Sequence, residues 1–474
     1  MKWLPLIAAC CVALSPPVSA DLPDLGEASQ ATFSPQLERK VGEAIMLDIR
    51  ADKDYLDDPE ILDYLNSIGY RLAASSPNNR QDFEFFAVHD ASLNAFALPG
   101  GYIGVHSGLI TTTQTESELA GVLAHEIAHV TQRHISRMVA QNSRNDLLSI
   151  AGLALAILVA RASTEAASAV GAVTQASTIQ SSLDFTRENE READRVGFVI
   201  MSDAGFDQRG MADFFVRLGK ATRLYENNAP AYLRTHPLTT ERLSDLQNRV
   251  ASAPYRQVKD SIEFHLVRAK LNAANGTPGD AVTTFESGLK EKRYASEPAQ
   301  RYGLIAALLR AKQYERAERE MAVLRKSLPA QPMVENLAAE LKRAQGQDTA
   351  ALPIYREALR RNPFHRALIY GYADTLLRTR HGAEALAFVN DQLKVRSNDA
   401  HLYDYQAQAY AAAGQGFASH RALAEAYARR GQLVPAIEQL QIALKLGNGD
   451  FYQMSSAEAR LKELRALDAE NRKQ

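Results

Sequence analysis

The chain has 474 residues, of which 46% are hydrophobic and 23% are charged, and its formal net charge is −2. These values are typical of ordinary globular domains, two or three on the basis of length. Both cysteines, Cys10 and Cys11, lie in the first 20 residues. Removal of that segment would therefore exclude a disulfide framework and thiol chemistry in the remaining chain.

The segment Met1–Ala20 is typical of a cleaved secretory signal peptide. Lys2 precedes an apolar run from Trp3 to Leu14, and small residues follow, as signal peptidase requires. The apolar run is too short for a membrane span. The alternative is a lipoprotein anchored at Cys10. Neither interpretation permits a cytoplasmic protein.

The charge is unevenly distributed along the chain. From Tyr255 onward there are 33 Lys and Arg residues against 25 Asp and Glu residues, so the preceding part has an acidic excess. This difference predicts two domains, residues 21–254 and residues 255–474. The basic half favours acidic partners, although a solvated helical surface explains the excess equally well.

The N-terminal part has helical and strand patterns in turn. Apolar residues have helical spacing from Phe33 to Ile49 and from Pro59 to Ala74. The β-rich segment Phe83–Val88 and the segment Asn94–Val105, hinged at Pro99-Gly100-Gly101, predict a small sheet. An edge of this sheet could bind an extended peptide by strand addition, or the hairpin could simply pack against the core.

The segment Gly121–His134, GVLAHEIAHVTQRH, contains the motif H-E-x-x-H on what is predicted to be one amphipathic helix. His125 and His129 are four residues apart, so they project from one face within reach of one metal ion. Glu126 is then placed to act as a base on the attacking water, as in zinc hydrolases. The motif alone is a weak signal, because two surface histidines would give the same pattern. A third ligand is needed.

The acidic segment Thr186–Phe198 offers that ligand. Glu190 and Asp194 share one helical face, and Glu188 and Glu192 share another. A glutamate from this helix could complete a His, His, Glu site with water as the fourth ligand. Spacing alone does not select among the three glutamates, and a solvated charged face remains the alternative.

Two other histidines, His134 and His236, are candidates for a further ligand. Gln132 and Ile135 occupy the places of the glycine and third histidine of a metzincin, so that class is excluded. His134 is half a turn out of phase with the first ligand and is predicted to face away. His236, in a loop before Pro237, could polarise the substrate carbonyl, act as an extra ligand that closes the site, or have a structural role.

The segment Leu147–Ala160, LLSIAGLALAILVA, is apolar on every side. It falls short of the ~20 residues that cross a bilayer. We predict a buried or docked helix here, with a peripheral membrane contact as the alternative.

From about Phe264 to the end, the sequence has a 34-residue period. The repeated positions are Lys312, Gly346, Arg380 and Gly414, with the alanines Ala317, Ala351 and Ala385 at the same interval. This period predicts tetratricopeptide repeats, an all-α solenoid with a concave groove for a peptide or protein. No phosphate-binding loop or nucleic-acid motif is present, so no nucleic acid is expected as a partner.

Several motifs together resemble the minigluzincin zinc metallopeptidases, which include heat-shock and prenyl-protein-processing membrane proteases. They are NAFALPGGYIGVHSGLI (Asn94–Ile110), HEIAH from His125, E-x-x-x-D from Glu190 to Asp194, and the pair His236-Pro237. The resemblance implies that His125, His129 and Glu190 bind one Zn²⁺ per subunit. It also implies that Asp194 holds a ligand histidine and that His236 lies near the metal. No hydrophobic span flanks the catalytic helix, so the membrane-embedded branch of the family is a poor match.

The resemblance, together with the signal peptide and the repeats, implies a periplasmic zinc metalloendopeptidase. It implies an α+β metalloprotease domain, mostly helical with a small edge sheet, followed by an all-α tetratricopeptide-repeat solenoid. Glu126, Asp194 and His236 would be its catalytic side chains. Misassembled outer-membrane β-barrel proteins are the implied substrates, and the β-barrel assembly machinery is the implied partner of the repeats. The alternative is a repeat-based chaperone or scaffold with a latent or regulated protease site.

Overall fold

The computed structural model describes residues 33–76, 81–141, 186–223, 231–447 and 449–471. The predicted signal peptide and the apolar segment Leu147–Ala160 lie outside the described residues. Among the described helices, none has the length and apolar character that crossing a membrane requires.

The N-terminal part combines helices with one small sheet, as the α+β prediction required. Its described elements are α1 (Pro35–Ala51), α2 (Pro59–Ala74), β1 (Glu84–Val88), β2 (Ala95–Leu98), β3 (Tyr102–His106), α3 (Ser107–Thr112), α4 (Glu116–Thr131), α5 (His134–Gln141), α6 (Arg187–Asp203), α7 (Arg209–Arg223), α8 (Ala231–Thr235) and α9 (Thr240–Ser252). Asp58 accepts hydrogen bonds from the amides of Glu60 and Ile61, and Pro59 occupies the first helical position. The predicted start of α2 is therefore confirmed.

The helix that carries the H-E-x-x-H motif differs from the prediction in two ways. It ends at Thr131, because Arg133 adopts a left-handed backbone (φ 54°), and α5 begins at His134. It is also not amphipathic, since every side chain from Glu116 to Thr131 is buried. The physical reason is that α2, α6, α7 and the sheet all pack against α4.

The three strands have the order β1-β3-β2, with β1 parallel and β2 antiparallel to β3. The predicted hairpin is confirmed, and Gly100 and Gly101 form its turn with φ of 81° and 86°. The amide of His106 donates to the carbonyl of Asn94. Because hydrogen-bonded pairs alternate along an antiparallel ladder, the backbone groups of Ala95 and Ala97 point away from β3.

The two edges of the sheet therefore differ. On the β1 edge, the side chain of Asn66 accepts a hydrogen bond from the amide of Phe85 and donates one to its carbonyl. This side chain takes the place of a neighbouring strand and blocks strand addition there. The β2 side of the sheet contacts the metal-motif helix, and the amide of Ala97 lies near Glu126.

Close helix contacts bring the acidic helix to the motif helix. A Cβ atom on Gly197 of α6 would lie 3.1 Å from backbone atoms of Ala124 and His125. A Cβ atom on Gly121 would lie 2.9 Å from the Cα of Met211 in α7. The absence of side chains at these two glycines allows α6 and α7 to pack directly on α4.

The C-terminal part is a series of helical hairpins. Its helices are α10 (Ile262–Ala274), α11 (Pro278–Lys290), α12 (Glu297–Arg310), α13 (Tyr314–Ser327), α14 (Pro332–Ala344), α15 (Asp348–Arg361), α16 (Arg366–Arg378), α17 (Gly382–Val395), α18 (Ala400–Ala412), α19 (Gly416–Arg429), α20 (Leu433–Leu446) and α21 (Phe451–Asn471). The periodic residues Lys312, Gly346, Arg380 and Gly414 all have positive φ, from 57° to 75°. They form the turns within successive hairpins, so the predicted repeat solenoid is confirmed.

The repeats pack against the N-terminal part rather than extending away from it. Hydrophobic contacts continue from α2 through α14 as one core. Arg366 of α16 pairs with Asp63 of α2 at 2.6 Å. Further along the array, the turn at Gly431 contacts Leu47 of α1. The array therefore contacts α2 from its middle and α1 from near its C-terminal end. The division at residues 254 and 255 stays a prediction.

Candidate metal centre

Four buried side chains from three segments converge beside the sheet. His125 and His129 come from α4, Glu190 from α6 and His236 from the turn after α8, and one ligand atom of each lies within 4.8 Å of the others. The two Nε2 atoms of the α4 histidines are 3.0 Å apart. The Glu190 carboxylate lies 3.3 Å from His129 and 3.5 Å from His125. His236 Nδ1 is 2.9 Å from Glu190 and 3.4 Å from His125.

These separations fit a tetrahedral metal ion. Ligand atoms roughly 2.0–2.1 Å from a zinc ion lie roughly 3.4 Å from one another. Burial lowers the pKa of His129 well below its ordinary value, whereas at His125 the contacts with Asp194 and Glu190 outweigh burial and raise the pKa to about 9. Each imidazole must give up the proton of its coordinating nitrogen to bind a metal. Three nitrogen atoms and one carboxylate thus form a donor set suited to zinc.

Asp194 lies against the ring of His125. Its carboxylate is 3.0 Å from His125 Nδ1, on the ring side opposite the cluster. Arg242 of α9 in turn donates two hydrogen bonds to Asp194, at 2.7 and 2.8 Å. A proton on Nδ1 of His125, facing this carboxylate, would leave Nε2 available to a metal ion.

His134 holds the other histidine of α4. Its Nδ1 is 2.9 Å from Nδ1 of His129, and its Nε2 is 3.1 Å from Glu192. Arg137 also donates to Glu192, at 2.8 Å. Burial lowers the pKa of His134 to about 4, which keeps its ring neutral. His134 is not a member of the cluster, as predicted, but the break at Arg133 places it against the nitrogen of His129 that the cluster does not use.

The structure distinguishes the three glutamates among which helical spacing could not select a ligand. Glu190 lies in the four-residue cluster, and Glu192 contacts His134. Glu188 is exposed and pairs with Arg191.

Glu126 lies beside the cluster in a dry environment. It is fully buried, and burial raises the pKa of its carboxyl, while nearby His236 and His125 act in the opposite direction. The backbone amide of Ala97 in β2 also lies near this carboxylate and partly offsets the effect of burial. A buried carboxylate with a raised pKa is a stronger base than an exposed one, which suits it to accept a proton beside a metal site.

The site is closed in this structure. The exposed fraction is 0% for His125, Glu126, His129 and His236, and 1% for Glu190 and Asp194. The ring of Tyr232 in α8 stacks on His236 at 4.7 Å, and its amide donates to the carbonyl of Leu93. The segment from α8 to His236 therefore covers both the cluster and the start of the β2 edge.

Sequence reasoning missed Arg242 as part of this site. Its guanidinium contacts Asp194, lies 2.6 Å from Glu190, and donates to the carbonyl of Pro237 at 2.8 Å. One signal was available, since a cation in the first turn after the cap at Thr239 opposes the helix dipole. An arginine at this position is stabilised only if acidic side chains pair with it. The sequence does not show which acidic residues do so.

Comparison with known proteins agrees with this arrangement. Residues 62–250 match the model of Peptidase family M48, and residues 342–409 match that of the tetratricopeptide repeat. The chain is 32% identical over 476 residues to the beta-barrel assembly-enhancing protease of Escherichia coli (strain K12), which covers 98% of this chain and 96% of that protein. The protein of the same name from Yersinia pestis is 32% identical over 456 residues, 95% of this chain and 93% of the relative. A relative from Vibrio cholerae is 36% identical over 339 residues, 69% of this chain and 70% of the relative.

Proposed function

Because the chain belongs to Peptidase family M48, we propose that it is a zinc metalloendopeptidase in which His125, His129 and Glu190 bind the metal. The observation that carries this proposal is the convergence of these three side chains with His236 in one buried cluster. Asp194 and Arg242 hold the cluster in place, as the contacts to His125 and Glu190 indicate.

The chemistry proposed for this site is peptide-bond hydrolysis. A zinc ion held there would polarise the scissile carbonyl and lower the pKa of a water molecule. Glu126 accepts the proton of the attacking water and delivers it to the leaving amine. Burial favours the first part of this role, since the raised pKa of the Glu126 carboxyl makes it a stronger base for the proton of the attacking water.

The β2 edge is the proposed binding surface for the substrate backbone. The outward groups of Ala95 and Ala97 can pair with an extended peptide, and Ala97 lies beside Glu126. A peptide paired there would bring a carbonyl next to the cluster. The segment from α8 to His236 must move first, because β2 is buried in the closed form.

The proposed substrates are outer-membrane β-barrel proteins that fail to assemble, in the periplasm. The names of the E. coli and Y. pestis relatives support this substrate class. The pattern of Met1–Ala20 supports export from the cytoplasm. The repeats are proposed to bind the β-barrel assembly machinery, since solenoids of this kind present grooves for protein partners.

The substitution Glu126→Gln tests the proposed chemistry. We expect the full chain carrying it to retain zinc, measured by elemental analysis, and to cleave an unfolded outer-membrane barrel protein at least ~100-fold more slowly than the wild type. Glu188→Gln, at an exposed carboxylate of α6, is the matched control and should cleave normally. Wild-type cleavage by a zinc-loaded Glu126→Gln variant would refute the assignment.

A second candidate function is favoured by the closed site. With all six site residues buried, the protein as described is a latent protease, and its repeats could act mainly as a scaffold for barrel assembly. Barrel assembly at the wild-type level with Glu126→Gln would show that this role does not need catalysis.

A further inference from the structure

A polar groove of about 860 Å³ lies near the C-terminal end of the repeats, on helices that contribute nothing to the candidate metal centre. Helices α17, α18, α19 and α21 form its walls. Its charged lining residues are four cations, Lys394, Arg421, Arg429 and Arg460, and one acid, Glu425. The groove is therefore strongly basic for its size.

Most of these charges already have partners. Glu425 accepts from Arg429 at 2.6 Å and from Arg460 at 2.9 Å, so one carboxylate is shared by two guanidinium groups. At the rim, Lys394 pairs with Asp391 at 2.7 Å. Arg460 also pairs at the rim, with Glu463 at 2.7 Å.

Arg421 is the exception. It lies on α19 one helical turn before Glu425, and its side chain lines the groove. Among the residues that the structure describes, none forms a hydrogen bond or an ion pair with its guanidinium. The uncompensated positive charge of the groove is thus located at this one half-buried side chain, which can form a bidentate contact with a carboxylate.

The rest of the lining suits an extended polypeptide. Asn390, Asn398 and Gln406 present side-chain amides to the groove, and Gln406 donates to Asn390 at 2.7 Å. Amide groups both donate and accept, so they can pair with the backbone of a peptide whatever its sequence. The ring of Tyr403 adds a flat aromatic wall. The guanidinium of Arg429 lies over this ring, 5.1 Å from its centre.

We propose that this groove binds an extended segment of a partner protein through acidic side chains, with Arg421 as the main contact for a carboxylate. The proposal deepens the proposed function, since it states the chemistry of the protein segment that the repeats bind. It is consistent with the basic excess of the chain from Tyr255 onward. Charge complementarity selects the acidic segment, and the amides hold its backbone.

Peptide binding to the full chain tests the proposal. The protein carries Glu126→Gln to prevent cleavage, and fluorescence anisotropy measures the binding of acetylated, amidated peptides roughly 30 Å long when extended. Peptides with Glu at alternate positions should bind about tenfold more tightly than those with Gln, and those with Lys should bind least. The preference should decline as salt rises from about 0.05 to 0.5 M. Equal affinity for the Glu and Gln peptides would overturn the proposal.

Arg421→Gln assigns the site. It should weaken binding of the Glu peptide about tenfold and leave the Gln peptide unchanged. Arg319→Gln, which removes the same charge from an exposed position on α13, is the control and should bind as the parent does. Equal losses of affinity for the Glu peptide in the two variants would show a general effect of net charge. Such a result would contradict binding in this groove. Failure of zinc-dependent cleavage would not alter these affinities, so the two proposals can fail separately.

Discussion

Arg242 connects α9 to two other segments of the chain, α6 and the turn after α8. It is 2% exposed and contacts Asp194, Glu190 and the carbonyl of Pro237. The acidic partners raise its pKa further despite burial, so its charge is permanent. A buried guanidinium with two carboxylate partners fixes geometry strongly, because removal of one member leaves uncompensated charge in a dry site.

Arg242→Gln should therefore weaken the metal centre. We expect zinc affinity to fall roughly 10–100-fold, and the free energy of unfolding to fall by about 3 kcal/mol, because Asp194 and Glu190 lose their shared cation. Competition with a chelator measures the affinity, and denaturant unfolding measures the stability. Arg242→Lys should rescue little, since an ammonium cannot form the bidentate contact.

Arg249→Gln is the control for this substitution. Arg249 lies on the same helix and pairs with Asp245 near the surface, where such a pair contributes at most about 1 kcal/mol. Equal zinc affinities for Arg242→Gln and Arg249→Gln would contradict the role given to Arg242.

At the scale of elements, the short helix α8 and the turn after it cover the site. Tyr232 stacks between Phe215 and His236, with ring separations of 6.1 and 4.7 Å, and its amide is bonded to Leu93 before β2. His236 then occupies the place that a fourth ligand would take. One segment thus excludes both solvent and an added strand.

His236→Ala should open this cover. If His236 is a fourth ligand that closes the site, the variant keeps zinc through the three remaining side chains and cleaves an unfolded protein several-fold faster than the wild type. Cleavage assays and metal analysis of the purified full chain measure both effects. The double variant with Glu126→Gln should be inactive, which excludes a contaminating protease.

The opposite outcome would have a clear meaning. A zinc-loaded His236→Ala variant with a lower kcat would show that His236 stabilises charge on the substrate carbonyl. The closing role would then be wrong.

At the scale of the whole molecule, a buried polar cluster joins the protease part to the repeats. The carboxylate of Glu60 in α2 lies 2.6 Å from the ammonium of Lys270 in α10. The side-chain amide of Asn336 in α14 donates a hydrogen bond to the same carboxylate at 3.2 Å. Asp58 also contacts Lys270 at 2.6 Å. Burial raises the pKa of Glu60 to about 7, although Lys270 acts in the opposite direction.

This shift predicts a pH dependence of stability. Because the pKa of Glu60 is higher in the folded state, the folded chain binds more protons between about pH 4.5 and pH 7, and stability falls as pH rises through that window. Glu60→Gln mimics the protonated carboxyl and lacks this loss. Between pH 4.5 and 8, the free energy of unfolding of the wild type should fall by on the order of 1–3 kcal/mol relative to that of the variant.

Thermal unfolding of both proteins across this range measures the difference. Glu438→Gln, at an exposed carboxylate of α20, should follow the wild type at every pH. A constant difference between wild type and Glu60→Gln would contradict the raised pKa.

The sequence predicted the features that depend on local spacing. The 34-residue period located the left-handed turns at Lys312 and Gly346, since one hairpin per repeat determines the spacing. The cap at Asp58 and the turn at Gly100 were likewise predictable from their immediate neighbours. The pair His125 and His129 followed from helical geometry alone.

Only the tertiary structure decided which distant groups meet. Spacing left Glu188, Glu190 and Glu192 as alternatives, and the close packing that Gly197 permits brings Glu190 to the cluster. The contacts of Arg242 and the closure by α8 join residues far apart in the chain. Their positions depend on how helices pack, and the local pattern carries little information about that packing. The sequence by itself therefore determined the repeat architecture and the two-histidine motif. The tertiary packing of the helices decided which other residues join the candidate site and that the site is closed.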